Sequence, residues 1–287
     1  MPTVVPGILA DQIKAVSKTA LPPSLAGYAQ MWSVGVAGPL YDIYFVETLG
    51  GPRTIAFMKL YFRFSSEGKE GWPDRSEAIA FARRWQADIQ KKFNVKSLTT
   101  TPSGRIVGLE FHFAQGLFSF DPGDHWLIDV VKVPQGQFYS SQVKRAHGTT
   151  IGHTTLSSND LAPITRQKDG HPYKQRPAIH EFAHMIDLRD EYLDICDANG
   201  LRADGLKCNA VPRDPRYIKD YPSVANSGEQ IRPRHLETIK NWTAMAAPLS
   251  PLELGRPSFK DTFDALLFLK EAPRNTLKPP LKLAGVL

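Results

Sequence analysis

Five consecutive residues, His180-Glu181-Phe182-Ala183-His184, hold the strongest chemical signal in the chain. On a helix, residues four apart share a face about one turn apart, so both imidazoles can reach a single ion. Glu181 lies about 100° around the helix from His180, close enough to engage a water on that ion. The chemistry implied is hydrolysis at zinc: imidazole ligands, an open position holding water, and a carboxylate that takes the water's proton. Such a string arises by chance in roughly one sequence of this kind in a hundred. Its neighbours Ile179, Phe182, Ala183, Met185 and Ile186 are uncharged, as a buried helix requires.

Two imidazoles do not complete a zinc site, and the third ligand is open. An unbroken helix would return Glu191 to the His184 face, but roughly 10 Å further along the axis. Asp190 would point away. Asp190 reaches the ion only if the chain turns just after Ile186. Glu229 is the alternative third ligand, with His235 behind it, each swinging in from near a helix that starts at Pro233.

The run HEFAHMIDLRDEY at 180–192 resembles the metzincin type of zinc peptidase, whose extended motif is HExxHxxGxxH, with Asp last in the snapalysin-like branch. It is also similar to bacterial zinc-peptidase domains ending HExxHxxGxxDEY, some attached to contractile injection or type VI secretion machinery. The resemblance covers 177–192 and, more weakly, SVANSGEQIRPRH at 223–235, which resembles the turn whose methionine lies beneath the metal. It implies a zincin-like fold and a Zn2+ cofactor on His180, His184 and Asp190, with Glu181 as general base. It further implies a protein or peptide substrate and an endopeptidase, as an exported toxin or effector or, alternatively, itself a secretion-machine component, with a secretion-apparatus component or an immunity protein as partner. Two positions depart from the pattern: Asp187 replaces the turn glycine and Ala225 the methionine. Aspartate is one of the few non-glycine residues that tolerate the left-handed region, so the turn survives at some strain. These departures support a competing reading, a catalytically silent zincin-like binding module. The intact Glu181 argues against it, because a purely structural site has no use for that carboxylate.

The elements that must position these residues are legible in the apolar pattern. DIYFVET at 42–48 and TIAFMKLYFRF at 54–64 flank the turn residues LGGPR, which predicts a hairpin. In its second arm Ala56, Met58, Leu60, Phe62 and Phe64 fall on one face. Asp74 and Glu77 form a capping-box pattern ahead of Ile79, Ala82, Trp85, Ile89 and Phe93 at helical spacing. Strands are expected at 105–113, 126–133 and 149–156, the last as the edge on which a peptide substrate adds by main-chain hydrogen bonds. The polar, proline-broken stretch 157–177 reads as a loop, and 194–222 as irregular. Strands followed by site-bearing helices predict an α+β fold, a mixed twisted sheet packed on the site helix and on the 74–93 helix. The expected division is an N-terminal arm at 1–40, holding a helix and an extended piece, a zincin-like domain at 41–246, and a Pro-rich extension at 247–287. Within that extension, 259–269 is apolar enough to dock as a short helix.

Composition removes other classes. The 287 residues carry 35 basic and 29 acidic side chains, and the excess of +6 is scattered, which points away from nucleic acid. No run approaches the roughly 18 apolar residues that span a bilayer, so no membrane insertion is expected. The N-terminus lacks the basic start and apolar stretch of a secretory signal, implying a soluble chain that is cytoplasmic at synthesis and exported, if at all, by a signal-less route. Cys196 and Cys208 flank a Gly- and Asp-rich loop and could pin it in an oxidising compartment. Ile195 and Leu206 occupy positions where a calcium loop needs carboxylates. Arg232 and Arg234 could clamp a substrate carboxylate or brace those near the metal. His112, His125, His147, His153 and His171 show no ligand spacing.

Overall fold

The computed structural model describes residues 14–16, 32–66, 71–72, 74–116, 124–137, 139–144, 151–192 and 215–254. The fold is α+β, as expected. Its sheet strands are β1 (Lys14–Val16), β2 (Trp32–Ala37), β3 (Asp42–Thr48), β4 (Gly51–Ser66), β5 (Val95–Thr100), β6 (Ile106–Gly116), β7 (Trp126–Lys132), β8 (Gln142–Lys144) and β9 (Gly152–Ser157). β10 (Ile164–Lys168) and β11 (His171–Gln175) form a separate antiparallel hairpin. The helices are α1 (Arg75–Phe93), α2 (Pro177–Met185), α3 (Glu237–Ala246) and the one-turn α4 (Pro251–Leu254).

The sheet branches on β4. β3 pairs antiparallel with its first half in the expected hairpin, Thr48 opposite Gly51. β6 runs parallel along Arg53–Tyr61 and β7 parallel from Leu60 to Ser66. Ala56, Met58, Leu60 and Phe62 are buried on one face of β4, with Phe64 half-buried at its end. Against this face lies α1, its first turn capped by Asp74 Oδ1, which accepts the Glu77 N–H at 3.0 Å. The Glu77 side chain does not complete the box; it pairs with Lys132. The buried stripe of α1 is Ala78, Phe81, Ala82, Trp85, Ile89 and Phe93. Ile79, expected in that stripe, is only half-buried because Ala78 and Phe81 take the inward positions.

Three expectations are corrected. The 149–156 strand is not an edge: β9 lies between β7, to which it is parallel, and β8, which pairs antiparallel along His153–Thr155. β8 is the outer strand at that end of the sheet among the described residues. The 157–177 stretch is not a plain loop but contains β10 and β11, turned by Asp169 (φ 49°) and Gly170 (φ 77°). Two successive positive φ values are the signature of the tight hairpin turn that an Asp-Gly pair favours. Third, β2 joins the sheet ahead of residue 41, and the N-terminal stretch supplies strand β1.

At the opposite end, Arg105 gathers two buried carboxylates. Its Nη1 and Nη2 donate to Glu47 at 2.9 and 2.8 Å, and its Nε donates to Glu253 of α4 at 3.0 Å. Ser250 Oγ donates to Glu47 and the Ser103 N–H to Glu253. Cys196, Cys208, His147 and the 259–269 segment lie outside the described residues. No helix among the described residues is long and apolar enough to cross a membrane.

Candidate metal centre

The site is built on α2. Pro177 occupies its first turn, where a missing N–H costs nothing. The helix is fixed by the side chain between its two histidines. The Phe182 ring meets Phe93 at 4.8 Å, Phe111 at 5.3 Å, Trp85 at 5.7 Å and Phe113 at 6.0 Å, all edge-on. Each such pair adds about 0.5–1.5 kcal/mol beyond area burial. Phe182 thus locks the helix rotation, and His180, Glu181 and His184 take the other side.

The helix then stops just past His184. Ile186 caps it, and Asp187 enters the left-handed region at φ 73°. The Leu188 N–H donates to Ala183 O and the Asp187 N–H to His184 O, both at 3.0 Å. This pair of bonds is a Schellman turn with aspartate in the position usually held by glycine. The reversed chain brings Asp190 back over the helix. Asp190 Oδ1 lies 3.3 Å from His180 Nε2 and 3.2 Å from His184 Nε2, and the two Nε2 atoms are 3.1 Å apart. His180, His184 and Asp190 form a group that could hold a metal ion.

The far side of each ring decides what the near side offers. His180 Nδ1 is 2.8 Å from Val224 O, and His184 Nδ1 is 2.8 Å from Leu188 O. A carbonyl oxygen can only accept, so both Nδ1 atoms carry hydrogen and donate. In the neutral rings both Nε2 lone pairs then face each other and a carboxylate oxygen. Three electron-rich atoms at such distances require a cation or a shared proton among them. Ligand bonds of about 2.0–2.1 Å in a tetrahedral site set edges of about 3.3–3.4 Å, close to the separations found.

The protonation equilibria reflect the same crowding. Burial opposes ionisation of Asp190, but hydrogen bonds from His180 and His184 outweigh it and hold its carboxyl below the usual range. Burial likewise disfavours charge on His184, yet Asp190 overrides it and pushes the imidazole up to about 9. Burial raises Glu181, offset only in part by the two imidazoles. Comparison with family models, curated proteins and solved structures gave no match. The site therefore stands on its own geometry.

Glu229 lies elsewhere. Its carboxylate accepts from Arg176 N, Nε and Nη2 at 2.8, 2.9 and 2.9 Å and pairs with Lys92 at 2.8 Å. Burial opposes its ionisation, but these cations bring it down to about 2. His235 is also outside the group: its Nδ1 accepts the Arg232 N–H and its Nε2 faces Glu191. Of the two roles open to Arg234, it takes the bracing one. It forks onto Glu191, next to Asp190, at 2.7 and 2.8 Å. Glu191 also accepts from Ser223 Oγ, and its N–H donates to Ala225 O at 2.8 Å. The 223–230 turn is thereby tied to the loop that carries Asp190. Ala225 is buried at the methionine position.

Sequence reasoning did not find the groups that orient the two imidazoles. Val224 and Leu188 act through main-chain carbonyls, which leave no signature in residue type. Gln175, 1% exposed, donates through Nε2 to Asn226 O at 2.8 Å and lies 3.3 Å from His180 Nδ1. Tyr192 stacks on the His180 ring at 6.2 Å.

Proposed function

We propose that the chain is a zinc-dependent metallopeptidase, with His180, His184 and Asp190 as the zinc ligands and Glu181 as general base. One observation carries the reading: two helix-borne imidazoles with fixed tautomers and a carboxylate converge their ligand atoms on one point, beside a glutamate outside that group. Two nitrogens and one oxygen suit zinc better than calcium or magnesium. Bound there, zinc supplies Lewis acidity, polarising a carbonyl and acidifying a water.

The chain's own residues do the remaining work. Val224 O and Leu188 O hold the imidazoles in the ligating tautomer. Glu181 accepts the proton of the attacking water and later delivers it to the leaving amine. Its raised proton affinity suits both halves of that shuttle. The outer strand β8 supports a placement for the peptide, since a strand edge can take an extended backbone by main-chain hydrogen bonds. The strained turn that weighed toward a silent binding module is accommodated by Asp187 with its Schellman bonds intact.

The test is metal analysis of the purified protein together with cleavage of a peptide library. About one zinc per chain and cleavage at internal bonds are expected. Glu181→Gln should keep the zinc and lose at least about 100-fold in turnover, the scale of a general base. A protein that takes up no zinc is not this enzyme. Iron in its place would redirect the reading, because two histidines and a carboxylate also serve non-haem iron.

A further inference from the structure

The β10–β11 hairpin sits immediately before α2 and is pinned to the site at both ends. At its base, Gln175 bonds to Asn226 O and touches the His180 ring. At its tip, Tyr221 Oη donates to Asp169 at 2.7 Å. The hairpin register pairs Ile164 with Gln175, Arg166 with Tyr173 and Lys168 with His171. Residues directly opposite share a face, and the face alternates along each strand. Arg166 and Lys168 therefore lie on the same face as Gln175, the face turned toward the metal centre. Lys174, opposite Thr165, lies on the other.

The contacts of these two cations among the described residues are with an amide and a ring, not a carboxylate. Arg166 Nε donates to Gln175 Oε1 at 2.7 Å, and Lys168 Nζ stands 6.0 Å above the Tyr192 ring. Since Tyr192 is 6.2 Å from His180, Lys168 Nζ is at most about 12 Å from that ring. That span is three to four residues of extended peptide, at about 3.3 Å each.

We propose that this hairpin is the specificity element of the site, selecting peptides with an aspartate or glutamate within about four residues of the scissile bond. The inference rests on the peptidase reading above. The hairpin's fixed positive charge pairs with the substrate carboxylate, and its anchorage to Asn226, with Gln175 packed beside the His180 ring, sets the distance from that carboxylate to the cleaved bond.

Cleavage of a peptide library by the zinc-loaded protein should enrich Asp and Glu on one side of the cut. Lys168→Glu should lower kcat/KM for an acidic peptide by about tenfold and raise it for the matching lysine peptide, while Lys174→Glu leaves both within about twofold. A second readout is free of turnover: fluorescence anisotropy of labelled acidic and lysine peptides on zinc-loaded Glu181→Gln. There the acidic peptide should bind more tightly, the margin should shrink with salt, and adding Lys168→Glu should remove it. Cleavage without acidic preference, or a preference unmoved by Lys168→Glu, overturns this inference alone. No cleavage of any peptide overturns the peptidase reading and this inference with it.

Discussion

Asp190 and Glu229 sit in the two loops that wall the metal centre, and each is largely enclosed, yet they meet opposite company. Glu229 is surrounded by donors: a guanidinium fork, a backbone N–H and an ammonium. Asp190 Oδ1 instead faces the Nε2 atoms of His180 and His184 at 3.3 and 3.2 Å, and each imidazole is held from behind by a main-chain carbonyl. A carboxylate among donors is already neutralised and serves as a structural anchor. One set between two imidazole nitrogens belongs to a group that could hold a metal ion. What separates the two is the company the fold supplies, not the residue type.

The contrast is sharpest in zinc affinity. Asp190→Ala should weaken zinc binding by at least about 1000-fold, while Glu229→Ala should stay within about threefold in the same competition titration with a chelator. Exchanged outcomes would break the comparison at its root.

Next in size is pH. In the metal-free protein His184 is pushed up to about 9 from an ordinary 6.5. Its proton therefore stabilises the fold fully below about pH 6.5, and that contribution is lost as pH rises through about 9. Zinc must displace this proton, so its affinity should climb about tenfold per pH unit between about 7 and 9. Titrations across that range check the slope; a flat profile would place no proton between the ligands.

The Glu229 side makes a different prediction. Glu229→Ala leaves the guanidinium of Arg176, half of whose partners it supplied, short of countercharge in a part-buried setting. A loss of about 2–4 kcal/mol in urea unfolding is expected, with metal retained. Smallest of all, Asp187→Gly should change stability by less than about 1 kcal/mol, because relief at φ 73° is offset by added freedom in the unfolded chain. A larger loss would mean that the Asp187 side chain, near the buried Tyr41 hydroxyl, does more than tolerate the turn.

Much of this was legible in the residues because burial writes a period into them. The β3–β4 hairpin, α1 and the helix bearing His180 and His184 carry strong apolar patterns, and all three form. The turn at Asp187 followed from the ion's demand for a third ligand, not from propensity. The β10–β11 hairpin was missed because polar residues predominate on both its faces, with Ile164 and Tyr173 too few to show a period, leaving the Asp-Gly pair at 169–170 as its clearest sign. The edge was misplaced for a related reason: β8 has three residues, too few to show alternation, so β9 looked outermost. Ile79 was misassigned by one step around the helix, a slip that spacing alone does not resolve when Ala78 and Phe81 also fit.

The Arg105 cluster bears on how far the folded unit extends. Glu47 is 1% exposed, and part of its hydrogen bonding comes from Ser250; Arg105 takes its second carboxylate from Glu253, 3% exposed. A chain ending at residue 246, the border expected from the sequence, would keep the buried acid and guanidinium while discarding groups that satisfy them. A version cut at 246 should therefore refold poorly even though His180, Glu181, His184 and Asp190 all remain. The folded unit thus reaches past residue 246, held there by the ion cluster around Arg105.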